Sequence, residues 1–207
     1  MCFSAQASIV AGIVLVSIGI AALRHMKDRQ YVYLKLIPIF FGIQQFFEAL
    51  VWITGDHPHL PLLSFGKYGF LLFAFIVWPL WIPWSVLYAE RDLQRKKMLY
   101  SVLFVGALTS VYLAWKMLFF PVTVSLSCNH VQYILGGKVQ GWFPFLGYMI
   151  ATVAPFFIAR HRILHYMGVA VVVSIIVSAY FYTVFFTSVW CFFSALLSGI
   201  IYKIHEN

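Results

Sequence analysis

Charged residues are scarce in this chain, and their scarcity excludes most classes of protein. Only 10% of the 207 residues are Asp, Glu, Lys or Arg, whereas 63% are hydrophobic and the mean hydropathy is +0.90. Soluble domains carry about 25% charged residues. So few charges cannot cover a water-facing surface, which excludes a soluble domain, a disordered chain and, despite the net charge of +8, a nucleic-acid-binding protein. The composition instead predicts an all-α membrane protein.

Sequence motifs for metal or phosphate chemistry are also missing. The sequence contains no HExxH, no CxxC and no glycine-rich phosphate loop. The three cysteines, Cys2, Cys128 and Cys191, do not follow a zinc-binding spacing. We therefore predict no metal site, and the sequence names no cofactor. Two of the cysteines can form a disulfide if their side of the membrane is oxidising.

Long apolar segments are what the chain has in abundance. A membrane-spanning helix needs roughly 20 mainly apolar residues. Seven segments meet this requirement, and the stretch 163–202, which lacks charged residues, is divided because it is too long for one span. We expect one seven-helix domain over residues 1–207, with helices at 5–23, 31–53, 69–88, 98–118, 142–159, 163–182 and 187–204.

The positions of the basic residues predict the orientation of this bundle. If the N-terminus lies outside, 11 of the 14 Lys and Arg residues fall at cytoplasmic helix ends and 3 at outer ends. Basic residues favour cytoplasmic loops. The sequence therefore predicts an outer N-terminus and a cytoplasmic C-terminus.

The longest segment between predicted spans shows a different periodicity. Residues 122–127 alternate apolar and small polar side chains, and Gly136 and Gly137 follow a second apolar segment. Alternation beside a glycine pair is typical of a β-hairpin. We predict a short β-ribbon-like outer loop, with an irregular loop as the alternative.

One acidic residue, Glu48, lies inside a predicted span, whereas the other five lie in loops or in the tail. Phe41, Gln44, Gln45, Glu48 and Trp52 recur at spacings of three and four and so share one helix face. Lipid offers no hydrogen-bonding partner to amides or a carboxyl group, so this face must point into the bundle. An ionisable residue inside a span is by default a candidate functional site.

These residues suggest an outward-facing polar pocket that binds or transports a small molecule or a cation. Glu48 would make the charged contact, Gln44 and Gln45 would orient the ligand, and Trp52 and Trp190 would flank it. The full set of candidate ligand-binding residues is Glu48, Gln44, Gln45, Trp52, Trp190, Cys191 and Ser4.

Two other interpretations of the same residues stay open. The first is an intramembrane enzyme in which Cys2 or Cys191 is the nucleophile and Glu48 the acid or base. The second is a structural subunit of a membrane complex, in which Glu48 only locks helices together. Membrane lipids are expected partners in each case, and the sequence leaves the oligomeric state open.

Three sequence strings resemble a known protein family. They are MCFSAQAS at residues 1–8, FGIQQFFEALVW at residues 41–52 and VWCFFSA at residues 189–195. They resemble a bacterial family of small integral membrane proteins of unknown function. The resemblance implies a multi-pass protein of the bacterial inner membrane and implies no activity.

Overall fold

The described residues form seven helices and one β-ribbon. The computed structural model describes residues 4–57, 59–127, 130–136, 142–181 and 185–203. In these ranges the helices are α1 (Ala5–Arg24), α2 (Arg29–Thr54), α3 (Pro61–Ala89), α4 (Leu93–Phe119), α5 (Trp142–Ile158), α6 (Arg162–Phe181) and α7 (Phe186–Ser198). A 3-10 turn, Gly199–Lys203, continues α7. The strands are β1 (Val122–Ser127) and β2 (His130–Leu135).

Five of these helices are long and apolar enough to cross a membrane, namely α1, α2, α3, α4 and α6. The other two, α5 and α7, are apolar but shorter, with 17 and 13 residues. Length and composition therefore indicate a helical membrane protein. The seven spanning segments and the outer N-terminus go beyond this finding and stay predictions.

Helix α3 begins at Pro61, upstream of the predicted start at Gly69. Proline is favourable at the first helical position, because its missing N–H is not needed there and its φ angle is already helical. Leu63, Gly66 and Phe70 then recur on one buried face. The Lys67 ammonium group donates to the Val122 carbonyl, 2.6 Å away, so β1 gives a partner to the charge that interrupts the apolar run.

Helix α4 also begins earlier than predicted, at Leu93 instead of Met98. The Asp92 carboxylate caps it by accepting hydrogen bonds from the backbone N–H groups of Arg95 and Gln94, each at 2.9 Å. These bonds, first that from Arg95, hold the pKa of Asp92 below its ordinary value. The predicted span begins after the basic residues of this turn, whereas the Asp92 cap starts the helix before them.

The alternating segment forms an antiparallel ribbon, in which Val122 pairs with Leu135 and Ser127 with His130. The predicted helix ends at residues 182 and 204 lie outside the described residues, as do Cys2 and Cys128. Helix α6 ends at Phe181 and α7 begins at Phe186, so two separate helices occupy the uncharged stretch.

Helix α1 packs mainly along α2, where two glycines let the backbones approach closely. A Cβ atom on Gly12 would lie 3.1 Å from the Gly42 carbonyl oxygen, and one on Gly42 would lie 2.9 Å from the Gly12 carbonyl oxygen. Small residues at a helix crossing allow this approach in membrane proteins. The crossing fixes α1 against the helix that carries Glu48.

Replacement of Gly42 by alanine tests this crossing. The new Cβ would lie 2.6 Å from Val16 Cγ2 as well as against the Gly12 carbonyl, so the two helices must separate. We expect Gly42→Ala to lower the free energy of unfolding by about 1–3 kcal/mol. The measurement is the thermal unfolding of the purified protein in detergent.

The matched control is Gly199→Ala. A Cβ atom there meets only Ile18 Cδ1, at an ordinary contact distance of 3.7 Å. Alanine is the better helix former, so destabilisation at Gly42 must come from the clash. Equal unfolding temperatures for the two variants would show that the crossing does not depend on Gly42.

Candidate functional site

A buried polar face of α2 forms the centre of the candidate site. Gln44, Gln45 and Glu48 are each 0% exposed. One Glu48 carboxyl oxygen, Oε1, accepts a hydrogen bond from the Ser188 hydroxyl on α7. The face predicted from the sequence thus points into the bundle, and Glu48 connects α2 to α7.

Gln44 connects the same face to α3. Its side-chain oxygen accepts a hydrogen bond from Trp78 Nε1 at 2.7 Å. The Trp78 ring stacks on Phe41, one helical turn before Gln44, with ring centroids 3.8 Å apart. This contact and the hydrogen bond hold the indole at the junction between α2 and α3.

A distortion in α3 explains how α5 joins the site. Residues Phe73–Val77 form a π-helical segment, in which the Trp78 backbone N–H bonds to the Phe73 carbonyl. With this spacing the Ala74 carbonyl would need a donor from residue 79, but Pro79 has no N–H. The Tyr148 hydroxyl on α5 donates to that carbonyl instead, at 2.6 Å.

Helix α7 adds Trp190, Cys191 and Ser194, which are all buried. They line a cavity of about 30 Å³ between α7 and helices α2, α3, α5 and α6, and most of its other lining side chains are apolar. A cavity of this size holds about one water molecule. Glu48 and the two glutamines do not line it, so the expected polar pocket around Glu48 is, in this structure, a closed polar cluster beside a small cavity.

Several polar atoms in this region have no hydrogen-bonding partner among the described residues. Glu48 shows this at Oε2, and α7 shows it at the Trp190 indole nitrogen and the Ser194 hydroxyl. Gln45 lies beside Glu48 and Gln44 beside Cys191, but the Gln45 amide and Gln44 Nε2 do not reach hydrogen-bonding geometry. A buried polar group without a partner is destabilising. A bound molecule or ion that forms hydrogen bonds with these atoms would therefore stabilise the fold.

Two of the predicted site residues make their described contacts outside this cluster. Ser4 caps α1, where its hydroxyl accepts from the Ala7 N–H at 3.2 Å. Trp52 is half-buried and packs near the ribbon, against the apolar group of Val51, Leu63 and Val131. The first therefore has a structural role at a helix end, and the second lies nearer the ribbon than Glu48 does.

Sequence reasoning did not identify two hydrogen-bonding partners in the site, Ser188 and Tyr148, by their roles. Pro79 was a usable signal for Tyr148, because a proline inside a helix leaves a carbonyl that some other group must satisfy. Ser188 gives no signal of its own in an apolar helix. It lies 140 residues from Glu48 in the chain.

Residues suited to metal binding do not cluster in the part of the chain that the structure describes, where no group of three or more His, Cys, Asp or Glu side chains occurs. Cys191, one of the two candidate nucleophiles, is 3% exposed. A nucleophilic cysteine has to be accessible to its substrate. The Cys191 thiol is therefore not accessible in this structure, whereas the enzyme hypothesis requires an accessible thiol.

Comparison with known protein families gives a match over the whole chain. The model of a family described as "Family of unknown function (DUF6629)" matches residues 1–207, which is the whole chain. No curated protein and no solved structure matches the chain.

Replacement of Trp78 tests the link between α2 and α3. Trp78→Phe keeps a ring against Phe41 but removes the donor to the Gln44 oxygen. We expect the free energy of unfolding to fall by about 1–3 kcal/mol, because a buried acceptor then lacks its partner. The control is Trp84→Phe on the same helix, since Trp84 is 44% exposed. Equal thermal stability of both variants in detergent would contradict the proposed link.

The burial of Cys191 predicts its reactivity. In a variant with Cys2 and Cys128 replaced by serine, a membrane-permeable maleimide should label Cys191 only after denaturation, because the folded bundle blocks access to the thiol. A cysteine placed at the exposed position Ser64 should label in the folded protein and serves as the control. Rapid labelling of Cys191 in the folded protein would instead favour the enzyme hypothesis.

Proposed function

We propose a function on the basis of the candidate site. The chain belongs to the DUF6629 family, whose function is unknown, so the family itself gives no activity. The protein is an integral membrane protein that binds a small cation at Glu48 and passes it through the helical bundle. The first candidate is the proton, carried with bound water.

The observation that supports this proposal is the group of polar atoms without described partners around one buried carboxyl group. They include Glu48 Oε2 and the side-chain oxygen and nitrogen of Gln45, which lies beside Glu48. Each such atom destabilises the fold by about 1–3 kcal/mol unless a guest supplies the missing hydrogen bond. A bundle that keeps several of them together has a site that a polar guest completes.

Both the size and the chemistry of the region restrict the guest. The adjacent cavity of about 30 Å³ has room for about one water molecule. Pockets for organic ligands usually measure about 300–1,000 Å³. Amide N–H donors of the glutamines occur together with carboxyl and amide oxygen acceptors, and water can bond to both kinds of group. This combination favours a proton or a hydrated cation over an organic molecule.

The direction of movement follows from the proposed topology. With the N-terminus outside, Glu48 lies in the outer half of α2, and most basic residues lie at the cytoplasmic ends. A cation would therefore enter from the outer side, beside the ribbon. In a bacterial cell, the inner membrane would provide the potential that drives it inward.

Proteoliposomes test the proposal directly. Vesicles are loaded with potassium and a pH-sensitive dye. Valinomycin then lets potassium leave, which makes the membrane potential negative inside. We expect the wild-type protein to acidify the lumen and Glu48→Gln to reduce the rate to that of protein-free vesicles, because glutamine keeps the shape of the side chain but cannot carry a proton. Sodium and lithium gradients, with dyes for those ions, extend the test to the other small cations.

The matched control is Asp56→Asn, which removes a carboxylate from the exposed turn after α2. This variant should transport as the wild type does. Thermal unfolding in detergent checks that Glu48→Gln is folded. If folded Glu48→Gln transports like the wild type, or if the wild type moves none of these ions, the proposal is wrong and Glu48 is a structural link between helices.

A further inference from the structure

A second cavity lies at the end of the bundle opposite the β-ribbon, where the chain turns from α3 to α4 and from α5 to α6. Its volume is about 510 Å³, within the range of small-molecule sites. We propose that this cavity binds the phosphate group of a phosphate ester, either a lipid headgroup or a soluble compound. This proposal is independent of the proposed function at Glu48.

Basic side chains line the cavity. Arg160 and His161 come from the turn before α6, Arg162 is the first residue of α6, and Arg91 comes from the turn before α4. Arg160 and Arg162 are exposed, and neither side chain donates a hydrogen bond to a described residue. A guanidinium group presents several donors in a planar fork that matches phosphate oxygens. Two arginines with unused donors thus face one cavity.

The acidic residue in this cavity, Glu90, forms no described ion pair with the Arg160 or Arg162 side chain. It is 5% exposed, and its carboxylate accepts three backbone N–H bonds, from Arg91 at 2.9 Å, Asp92 at 3.1 Å and Arg160 at 2.9 Å. The carboxylate therefore holds the two turns together. It fixes the backbone of Arg160 while leaving the guanidinium group available to a ligand.

The remaining charged and ring groups are also held in place. Arg91 donates to Gln30 at 2.7 Å and pairs with Asp28 at 3.2 Å, so this arginine is already engaged. The His161 ring shares a hydrogen bond with the buried Tyr31 hydroxyl at 2.9 Å. These contacts fix one wall of the cavity before any ligand arrives, which lowers the entropy lost on binding.

The other wall is apolar and suits the organic part of an ester. It contains Val86, Ala89, Ala159, Ile163 and Leu164. A bare phosphate ion would leave this surface unused, whereas the glycerol or carbon chain of a phosphate ester can cover it. At the end of the bundle that the charge pattern predicts to be cytoplasmic, both phospholipid headgroups and soluble phosphate esters are within reach.

The test measures binding to purified protein in detergent by calorimetry. The two probes are glycerol 3-phosphate, for a soluble ester, and a short-chain phosphatidylglycerol, for a lipid headgroup. We expect the wild type to bind at least one of them. The double variant Arg160→Gln, Arg162→Gln should bind about tenfold more weakly or worse, because it loses hydrogen bonds to a charged group.

The matched control is Lys97→Gln, which removes an exposed positive charge from the start of α4 that does not line the cavity. It should bind like the wild type. Binding of phosphatidylglycerol alone identifies a lipid site, and binding of glycerol 3-phosphate identifies a site that soluble esters can reach.

Two results would overturn the proposal: no binding of either probe to the wild type, or equal binding by the double variant and Lys97→Gln. The two arginines are exposed, so the double variant should unfold at the wild-type temperature, which separates loss of binding from loss of fold. Glu48→Gln should keep the phosphate site. A failure of the transport proposal would therefore leave this result unaffected.

Discussion

The membrane interior offers no water to satisfy polar groups, and the arrangement around α2 follows from that constraint. Gln44, Gln45 and Glu48 share one face, so α2 is stable only if other helices surround it. Trp78 on α3 and Ser188 on α7 supply hydrogen bonds to this face. The close crossing with α1 at Gly42 secures α2 from another side. Helix α2 is thus the element around which its neighbours are placed.

The prolines of α3 create a second demand for hydrogen bonds, and other helices meet it. The π-helical segment before Trp78 and the missing N–H of Pro79 leave the Ala74 carbonyl without a donor from α3. Tyr148 on α5 donates to Ala74, and Ser110 on α4 donates to Ile76 at 3.2 Å. The distorted part of α3 is therefore hydrogen-bonded to both α5 and α4, beside the cluster around Glu48.

Glu48 and Glu90 are both buried, and their surroundings separate a functional candidate from a structural role. Glu90 accepts three backbone N–H bonds from two turns, so its carboxylate is satisfied by the fold itself. Glu48 has one described hydrogen bond, from Ser188, and Oε2 has none. Both residues are buried acids at helical positions or helix ends. Glu48 is the one of the two whose carboxyl group a bound cation or water would complete. In the cavity beside Glu90, the arginine side chains would bind the ligand, and Glu90 would not.

The sequence by itself determined the membrane class, the ribbon periodicity and the inward face of α2, because hydrophobicity and spacing are local properties of the chain. It placed the starts of α3 and α4 too late, since Pro61 and the Asp92 cap extend helices through polar residues. Only the tertiary structure decided the partners of Glu48, the closed form of the cluster and the arginine-lined cavity. These depend on contacts between distant segments, 140 residues apart for Ser188 and Glu48, and spacing along one helix carries no information about them.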